Sequence, residues 1–189
     1  MRLDWSVICA SILFLAGTSP LMAQSGGYSE DFETGTTNWS ISGGTSSAIW
    51  AADGTPSSVT GGVANTGSSS LNFNNGVDYA DLSTGTATSP VITLSSSSST
   101  LTFFCNYETE SEDATYGYDN RQITITPGNG SAITEPLGVT NSGTTVGPCS
   151  SMGTWHQHSI AITPSWGTVQ VEFLFDSVDD IMNDYAGWF

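Results

Sequence analysis

The chain has 189 residues, 21 of them glycine, and 11% of its residues are aromatic, a composition that suits one turn-rich domain with an aromatic core. It carries two basic residues against 18 acidic ones, for a formal net charge of −16. This balance excludes binding to the phosphate backbone of nucleic acid or to an anionic membrane surface, because both need clustered lysine and arginine. An acidic surface attracts divalent cations instead, and calcium prefers carboxylate oxygens.

The first 23 residues have the pattern of a secretory signal peptide. Arg2 precedes an apolar stretch at residues 6–17, and Ala23 supplies the small residue of a cleavage site. The apolar stretch is too short to span a bilayer comfortably. We therefore predict a protein that is secreted, extracellular or at the cell surface, with a single module at residues 24–189 and no membrane insertion after signal removal.

Short runs with a period of two predict β-strands along the rest of the chain, and no long stretch has helical periodicity. The clearest run is 168–176, in which Val169, Val171, Phe173 and Phe175 share one face. The complete set of predicted strands is 27–33, 39–42, 48–51, 69–73, 88–94, 101–108, 121–126, 155–162 and 168–176. Many short strands separated by Gly, Ser, Asn and Pro turns predict an all-β fold, a two-sheet antiparallel β-sandwich.

Two cysteines remain in the predicted mature chain, Cys105 and Cys149. In an exported protein such a pair indicates a disulfide, here closing a loop that the chain-entropy model values at about 4 kcal/mol. The alternative is two buried free thiols, since a bond requires that the two Cα atoms come within bonding range.

The sequence contains none of the common hydrolase, phosphate-loop or C-x-x-C motifs. Its two histidines, His156 and His158, are two residues apart in a predicted strand and share a face, so they could bind a metal together. His158 would share that face with Ile160 and Ile162, which favours a structural role. The absence of motifs favours a protein that is not an enzyme.

Acidic residues concentrate after two predicted strands, at 108–113 and 176–184. Three interpretations stay open for these groups: a solvated surface, a cation site, or a carboxylate pair that acts on glycosides. On charge alone, Glu110, Asp113 and Asp119 are candidate calcium ligands. Tyr116 and Tyr118 in the same region could stack on sugar rings or pack against the sheet.

A series of short segments, taken in order, resembles MAM-like jelly-roll modules. They are Asp-Phe-Glu at 31–33 followed by Trp39, Gly-Ser-Ser-Ser-Leu at 67–71, Thr-Ser-Pro-Val-Ile-Thr-Leu at 88–94, the strand at 101–110, Tyr-Asp-Asn at 118–120, the tryptophan-led strand at 155–162, and the closing segments at 169–177 and 185–189. The resemblance covers most of the predicted mature chain. It implies a sandwich used for recognition or adhesion, of the kind appended to secreted hydrolases such as immune-inhibitor-A-like metallopeptidases.

The resemblance also implies a structural calcium site and a further strand. Related jelly-roll carbohydrate modules hold calcium with the glutamate that corresponds to Glu33 and with an acidic residue of the last strand. Modules of this type continue as Ile-Asp-Asp-Val where this sequence reaches Phe189. We therefore expect the final strand to be missing, the sequence to be a fragment of a longer extracellular protein, and Trp188 and Phe189 to be exposed beside an unpaired sheet edge.

The sequence thus predicts a secreted, non-catalytic recognition or adhesion module that binds an extracellular glycan or protein and is stabilised by calcium. The alternative is an enzyme-related role, either as a glycan-active hydrolase that uses the acidic groups or as the accessory region of a secreted peptidase.

Overall fold

The structure is a computed structural model that describes residues 27–44, 48–95, 99–110, 118–138 and 142–189. The predicted signal peptide lies outside these ranges, and within them no helix is long and apolar enough to cross a membrane. The strands are β1 (Ser40–Gly43), β2 (Ile49–Asp53), β3 (Ser70–Asn74), β4 (Thr84–Thr88), β5 (Ile92–Thr93), β6 (Ser99–Cys105), β7 (Tyr107–Glu108), β8 (Asn120–Pro127), β9 (Ile133–Pro136), β10 (His156–Ile162), β11 (Thr168–Asp176) and β12 (Gly187–Trp188). A 3₁₀ turn at Pro164–Trp166 separates β10 from β11.

The first layer is an antiparallel sheet in the order β1-β4-β11-β8-β9, with β5 also paired to β11. Its centre is β11, which has the bounds that the alternating pattern predicted. Val169, Val171 and Phe175 are buried, as expected for a strand with one face on the core.

The second layer combines a sheet in the order β2-β3-β12-β7 with the pair β10-β6. The two parts are continuous around Asn106, which lies between β6 and β7. Its N–H donates to the carbonyl of Phe189 at 3.0 Å, and the N–H of Phe189 donates back to the Asn106 carbonyl at 2.9 Å. The molecule is therefore an all-β sandwich of antiparallel sheets, and the predicted fold class is confirmed.

Aromatic side chains from both layers fill the space between them. Phe73 of the second layer contacts Phe175 of the first, with ring centroids 5.0 Å apart, and Trp188 contacts Phe173 at 5.6 Å. Trp50 packs edge-on against Phe73 at 5.6 Å. Tilted and edge-to-face contacts of this kind add to the stabilisation from burial, so aromatic packing compensates for a chain that is poor in aliphatic residues.

Three details of the strand prediction are wrong. Residues 27–33 form no strand. The predicted strand at 88–94 is split between β4 and β5, because Pro90 has no N–H to continue the ladder. Trp188 and Phe189, expected to be exposed, are only 2% and 5% exposed. Whether a further strand follows them stays a prediction.

Cys105 and Cys149 form a disulfide in the structure, with their Cα atoms 6.2 Å apart. Both residues are buried, Cys105 at the end of β6 and Cys149 in the segment before β10. The bond ties this segment to the second layer, and Cys149 N–H also donates to the carbonyl of Leu137 at 2.9 Å.

Candidate functional site

Loops from three parts of the chain meet at one end of the sandwich. The N–H of Tyr79, between β3 and β4, donates to the carbonyl of Tyr185 at 3.0 Å, and the N–H of Leu82 donates to the carbonyl of Asp179 at 2.9 Å. Asn183 Nδ2 donates to Asp81 Oδ1 at 3.0 Å. We call this region, formed by residues 75–83, 109–110, 118–119 and 177–185, the loop end.

The loop end brings together the two acidic groups that are far apart in the sequence. Burial raises the pKa of Glu110, and the negative charge of Asp179 raises it further. The negative charges of Glu110 and Asp179 also contribute to the raised pKa of Asp119, after the larger effect of its burial. One carboxylate of the second group, at 176–184, therefore shares an electrostatic environment with the first.

Asp119 is the most enclosed of these carboxylates, with 1% of its surface exposed. Its backbone adopts the left-handed conformation, with φ of 51°, directly before β8. Its Oδ2 accepts hydrogen bonds from the Tyr79 hydroxyl and from the N–H of Glu110, both at 2.6 Å. Burial raises the pKa of Asp119 to about 7, although these two hydrogen bonds favour the charged form.

Three buried acceptor oxygens at the loop end have no hydrogen-bond donor in the part of the chain that the structure describes. They are Asp119 Oδ1, Glu110 Oε2 and Asn183 Oδ1. Buried polar atoms are normally satisfied, because an unpaired one costs about 1–3 kcal/mol. A surplus of buried acceptors suits a cation enclosed by these loops.

Arg121 is the one arginine or lysine in the described part of the chain. It lies next to this cluster, in contact with Thr109. It is 1% exposed, and its guanidinium carbon lies 3.9 Å from the centre of the Tyr107 ring. Burial lowers its pKa to about 10, so it stays charged at neutral pH. One of its amino groups donates to the hydroxyl of Thr109 at 2.5 Å.

The loop end also carries exposed apolar side chains. Val77, Leu82, Ile181 and Met182 are between 59% and 70% exposed, and all four belong to loops of the loop end. Exposed apolar side chains that gather in one region of a surface are a common feature of binding sites.

Comparison with known proteins gives one structural likeness that bears on the fold. The chain is similar to TmCBM61 in complex with β-1,4-galactotriose, with a TM-score of 0.55 and 14% sequence identity over 87% of this chain and 99% of that chain. The two chains therefore share their overall β fold. A second likeness, to the enzymatically active domain of tailspike protein 4 of bacteriophage CBA120, has a TM-score of 0.45 and 14% identity and covers 77% of this chain and 18% of that chain. Neither a protein-family model nor a curated protein matches the sequence.

The predicted site residues divide between two places. Glu110 and Asp119 lie together at the loop end, and Tyr118, which is partly buried, directly precedes Asp119. Asp113 and Tyr116 lie outside the described residues.

Glu33 is not part of the cluster. Its Oε1 accepts hydrogen bonds from the N–H groups of Ser68 and Ser69 at 2.8 and 2.9 Å, and its Oε2 accepts one from the Ser68 hydroxyl at 2.7 Å. These bonds lower its pKa and hold the turn at Ser68 and Ser69, and the calcium role that the resemblance assigns to Glu33 stays a prediction.

The described residues bring no three carboxylates within 4.8 Å of one another. A cation at the loop end would therefore be held by one or two carboxylates together with amide or carbonyl oxygens. The closest group of three potential ligands is Cys105, Cys149 and His158, whose sulfur atoms are bonded to each other.

Several residues of the loop end were not found from the sequence. Tyr79 follows an Asn-Gly turn and gives no local signal of its role, and Asn183 has none either. Asp179 was in the second acidic group, but its proximity to Glu110 arises only from the way the loops after β3 and β11 fold onto each other.

Proposed function

We propose that this chain is a secreted, non-catalytic recognition module that binds a glycan at the loop end and is stabilised there by calcium. The observation that carries the proposal is the surplus of buried acceptors, Asp119 Oδ1, Glu110 Oε2 and Asn183 Oδ1. Calcium binds carboxylate and amide oxygens, so an ion held by these buried atoms would order the exposed loops around them for contact with a sugar. The shared fold with a carbohydrate-binding module supports the choice of a glycan.

Calcium would neutralise the charge that accumulates at the loop end. Burial and the negative charge of Asp179 raise the pKa of Glu110, and burial together with the charges of Glu110 and Asp179 raises that of Asp119. Residues that would hold the ion are Glu110, Asp119 and, through its amide oxygen, Asn183. A bound cation would fix the three loops relative to one another and so preorganise the surface that contacts the sugar.

A non-catalytic role fits the burial of the carboxylates. A general acid must reach the leaving-group oxygen of the substrate, and Asp119, whose pKa is suited to that task, is enclosed and bonded to Tyr79 and Glu110. In the parent protein, the module would direct a secreted hydrolase or peptidase to its substrate surface. Measurement of sugar release distinguishes this proposal from the alternative of a glycan-active hydrolase, because the proposed module releases no sugar.

The decisive experiment measures glycan binding and calcium stabilisation on the same variants. We expect binding of β-1,4-galactotriose or a related oligosaccharide by calorimetry in calcium, and loss of most of it in chelator. Calcium at about 100 times its dissociation constant adds about 2.7 kcal/mol to the free energy of unfolding, which raises the melting temperature by about 5–10 °C in a domain of this size.

The variants Glu110→Gln and Asp179→Asn should reduce both effects. Asp180→Asn is the matched control, because Asp180 is exposed in the same loop and its replacement removes the same charge. Equal losses in the control would indicate only a general effect of charge. Failure of a broad set of oligosaccharides to bind, with or without calcium, would refute glycan recognition, whereas unchanged melting in calcium would refute the cation site alone.

A further inference from the structure

A second group of side chains, which shares no residue with the loop end, surrounds the disulfide. His158, in β10, has its Nε2 3.1 Å from the Sγ of Cys105. The sulfur atoms of Cys105 and Cys149 and a ring nitrogen of His158 all lie within 4.8 Å of one another. All three residues are buried. Thiolate sulfur and imidazole nitrogen are the ligands that zinc prefers in proteins.

The hydrogen bond of its other ring nitrogen orients His158 as a ligand. Nδ1 lies 3.1 Å from the carbonyl of Val146. A carbonyl oxygen can only accept, so Nδ1 carries the proton, and in the neutral ring Nε2 directs its lone pair towards Cys105. Histidines that bind metals almost always donate their second N–H to a carbonyl or a carboxylate in this way. Val146 is itself held in place, since its N–H donates to Glu135 Oε2 at 2.8 Å.

His156 supplies a fourth donor atom beside these three. It is the register partner of Cys105 in the ladder between β6 and β10, and residues directly opposite each other have Cβ atoms about 4.5–5.5 Å apart. Residues two apart on a strand share a face, so His156 is on the same side as His158. Its Nε2 is buried and has no hydrogen-bond partner in the described structure. We call these four residues, Cys105, Cys149, His156 and His158, the cysteine–histidine cluster.

The disulfide and a zinc ion cannot occupy this cluster together. With Zn–S bonds of about 2.3 Å and Zn–N bonds of about 2.0–2.1 Å, tetrahedral geometry separates two thiolates by about 3.8 Å and a thiolate from an imidazole by about 3.6 Å. The two sulfur atoms can reach that separation only after the bond between Cys105 and Cys149 is cleaved. One Zn²⁺ with two thiolates and two neutral imidazoles has no net charge, which suits a buried position.

We propose that the cysteine–histidine cluster binds zinc in the dithiol form of the protein, so that it alternates between a disulfide and a zinc–thiolate centre. A small dithiol cleaves the disulfide by thiol–disulfide exchange: two electrons pass to the protein sulfurs, the reductant becomes a disulfide, and two protein thiols form. Zn²⁺ then displaces the two thiol protons, which pass to solvent. A disulfide oxidant takes up two electrons and two protons, restores the protein disulfide and releases the ion.

The test uses cobalt as a spectroscopic substitute for zinc. Because both cysteines are buried, the protein is reduced with a phosphine in urea and refolded by dilution with the phosphine present. We expect equimolar Co²⁺ to produce a near-ultraviolet charge-transfer band from thiolate to metal and the intense visible bands of a tetrahedral ion. Equimolar Zn²⁺ should abolish both. The disulfide-bonded protein should show neither, and cobalt on surface carboxylates gives no charge-transfer band.

Zinc should also stabilise the reduced protein. At about 100 times its dissociation constant, the ion should raise the melting temperature by about 5–10 °C in a domain of this size. The disulfide-bonded protein, with calcium in excess to saturate the loop end, should show no such shift. Folding of the reduced protein only when zinc is present would support the proposal more strongly. A reduced protein that folds and binds no cobalt, or that folds neither with nor without zinc, would refute it.

Two histidine variants assign the nitrogen ligands. His158→Gln should weaken cobalt binding by more than the factor of about 10–100 that loss of an outer-shell partner costs. His156→Gln should also weaken binding and should change the visible bands, because the ion loses one of its four ligands. Circular dichroism of both variants in the disulfide form verifies folding. Unchanged affinity in either variant would contradict the four-ligand centre.

Two cysteine variants assign the thiolates. The double variant Cys105→Ser, Cys149→Ser should lose the charge-transfer band. Cys9→Ala is the matched control in the full-length chain, because it removes a thiol of the predicted signal peptide, and it should bind cobalt as the unmodified protein does. A band that persists in the double variant, or that is lost in Cys9→Ala, would assign the cobalt to another thiol and refute the proposal. Glycan and calcium binding at the loop end enter none of these measurements, so either proposal can fail alone.

Discussion

The Tyr79 hydroxyl donates a 2.6 Å hydrogen bond to Oδ2 of Asp119, a residue forty positions later in the chain. This bond joins the loop after β3 to the turn before β8. The same Oδ2 accepts the N–H of Glu110, which also lies 3.1 Å from the Tyr79 hydroxyl oxygen. Three segments thus depend on one buried carboxylate, and its second oxygen, Oδ1, is the unpaired acceptor that the proposed function uses.

Replacement of Tyr79 by phenylalanine tests this arrangement. Tyr79→Phe keeps the ring packed edge-on against Phe175 but removes a donor to a buried carboxylate. We expect the free energy of unfolding to fall by about 1–3 kcal/mol, measured by urea denaturation at neutral pH without calcium. Tyr28→Phe is the control, since Tyr28 is 40% exposed and its hydroxyl donates a long hydrogen bond of 3.4 Å to Glu30. Equal urea midpoints for the two variants would contradict the role assigned to Tyr79.

Most of the fold could be predicted because a half-buried strand leaves a pattern of period two. β11 and β10 follow their patterns closely, since Val171 and Phe175 or Ile160 and Ile162 must alternate with polar residues when one face is covered. The period-two pattern does not reveal a strand whose formation depends mainly on tertiary contacts. β9 has four residues and lies at the edge of its sheet beside β8, so its sequence carries too little alternation to be recognised.

The candidate site was less predictable for a physical reason. Glu110 and Asp119 are near in sequence and could be grouped by charge alone. Asp179 and Asn183 join them only because the loop before β12 folds against the loop after β3, through the bond between Leu82 and Asp179. Local sequence does not encode such loop contacts. Glu33 accepts three hydrogen bonds from the turn at Ser68 and Ser69, a contact that its own sequence does not reveal, and its calcium role stays a prediction.

A methyl group added at Gly85 should disturb the core. A Cβ on Gly85, in β4, would come within 2.8 Å of the Phe73 ring and 3.1 Å of the Gly44 nitrogen. The carbonyl of Gly85 also accepts the indole N–H of Trp50 at 3.0 Å. We expect Gly85→Ala to lower the free energy of unfolding by about 1–3 kcal/mol, measured by thermal or urea denaturation.

Gly27 provides the control for this prediction. A Cβ at Gly27 meets nothing within 4 Å. Gly27→Ala should therefore leave the melting temperature within error of the unmodified protein. If Gly85→Ala also leaves the melting temperature unchanged, the close packing of β4 against Phe73 is not as described.

Reduction of the Cys105–Cys149 disulfide should lower the free energy of unfolding substantially. The bond closes a loop across a sequence separation of 44, for which loop-closure entropy predicts about 4 kcal/mol of stabilisation. We expect a lower urea midpoint after treatment with dithiothreitol. The double variant Cys105→Ala, Cys149→Ala should show the same midpoint with and without reductant. A reductant effect that persists in the double variant would show that the loss has another cause.

The buried imidazole of His158 should make stability depend on pH on the acidic side of neutrality. His158 is 6% exposed, stacks on Phe103 with ring centroids 4.7 Å apart, and has Nδ1 3.1 Å from the carbonyl of Val146. Burial lowers its pKa below the ordinary value of 6.5, and the charge of His156 lowers it further. The folded state therefore resists protonation of this ring.

The sign of the effect follows from the proton balance. Between pH 6.5 and the lower folded pKa, the unfolded chain binds a proton at His158 that the folded chain does not. The stabilisation is therefore complete above pH 6.5 and is lost as the pH falls through this window. We expect the free energy of unfolding, measured by urea at about pH 7.5 and about pH 5, to fall less in His158→Gln than in the unmodified protein. His156→Gln controls for removal of an imidazole from the same strand and should keep most of the dependence. An identical fall in all three proteins would mean that carboxylates alone set the acid sensitivity, because His158 would then contribute no difference in proton uptake.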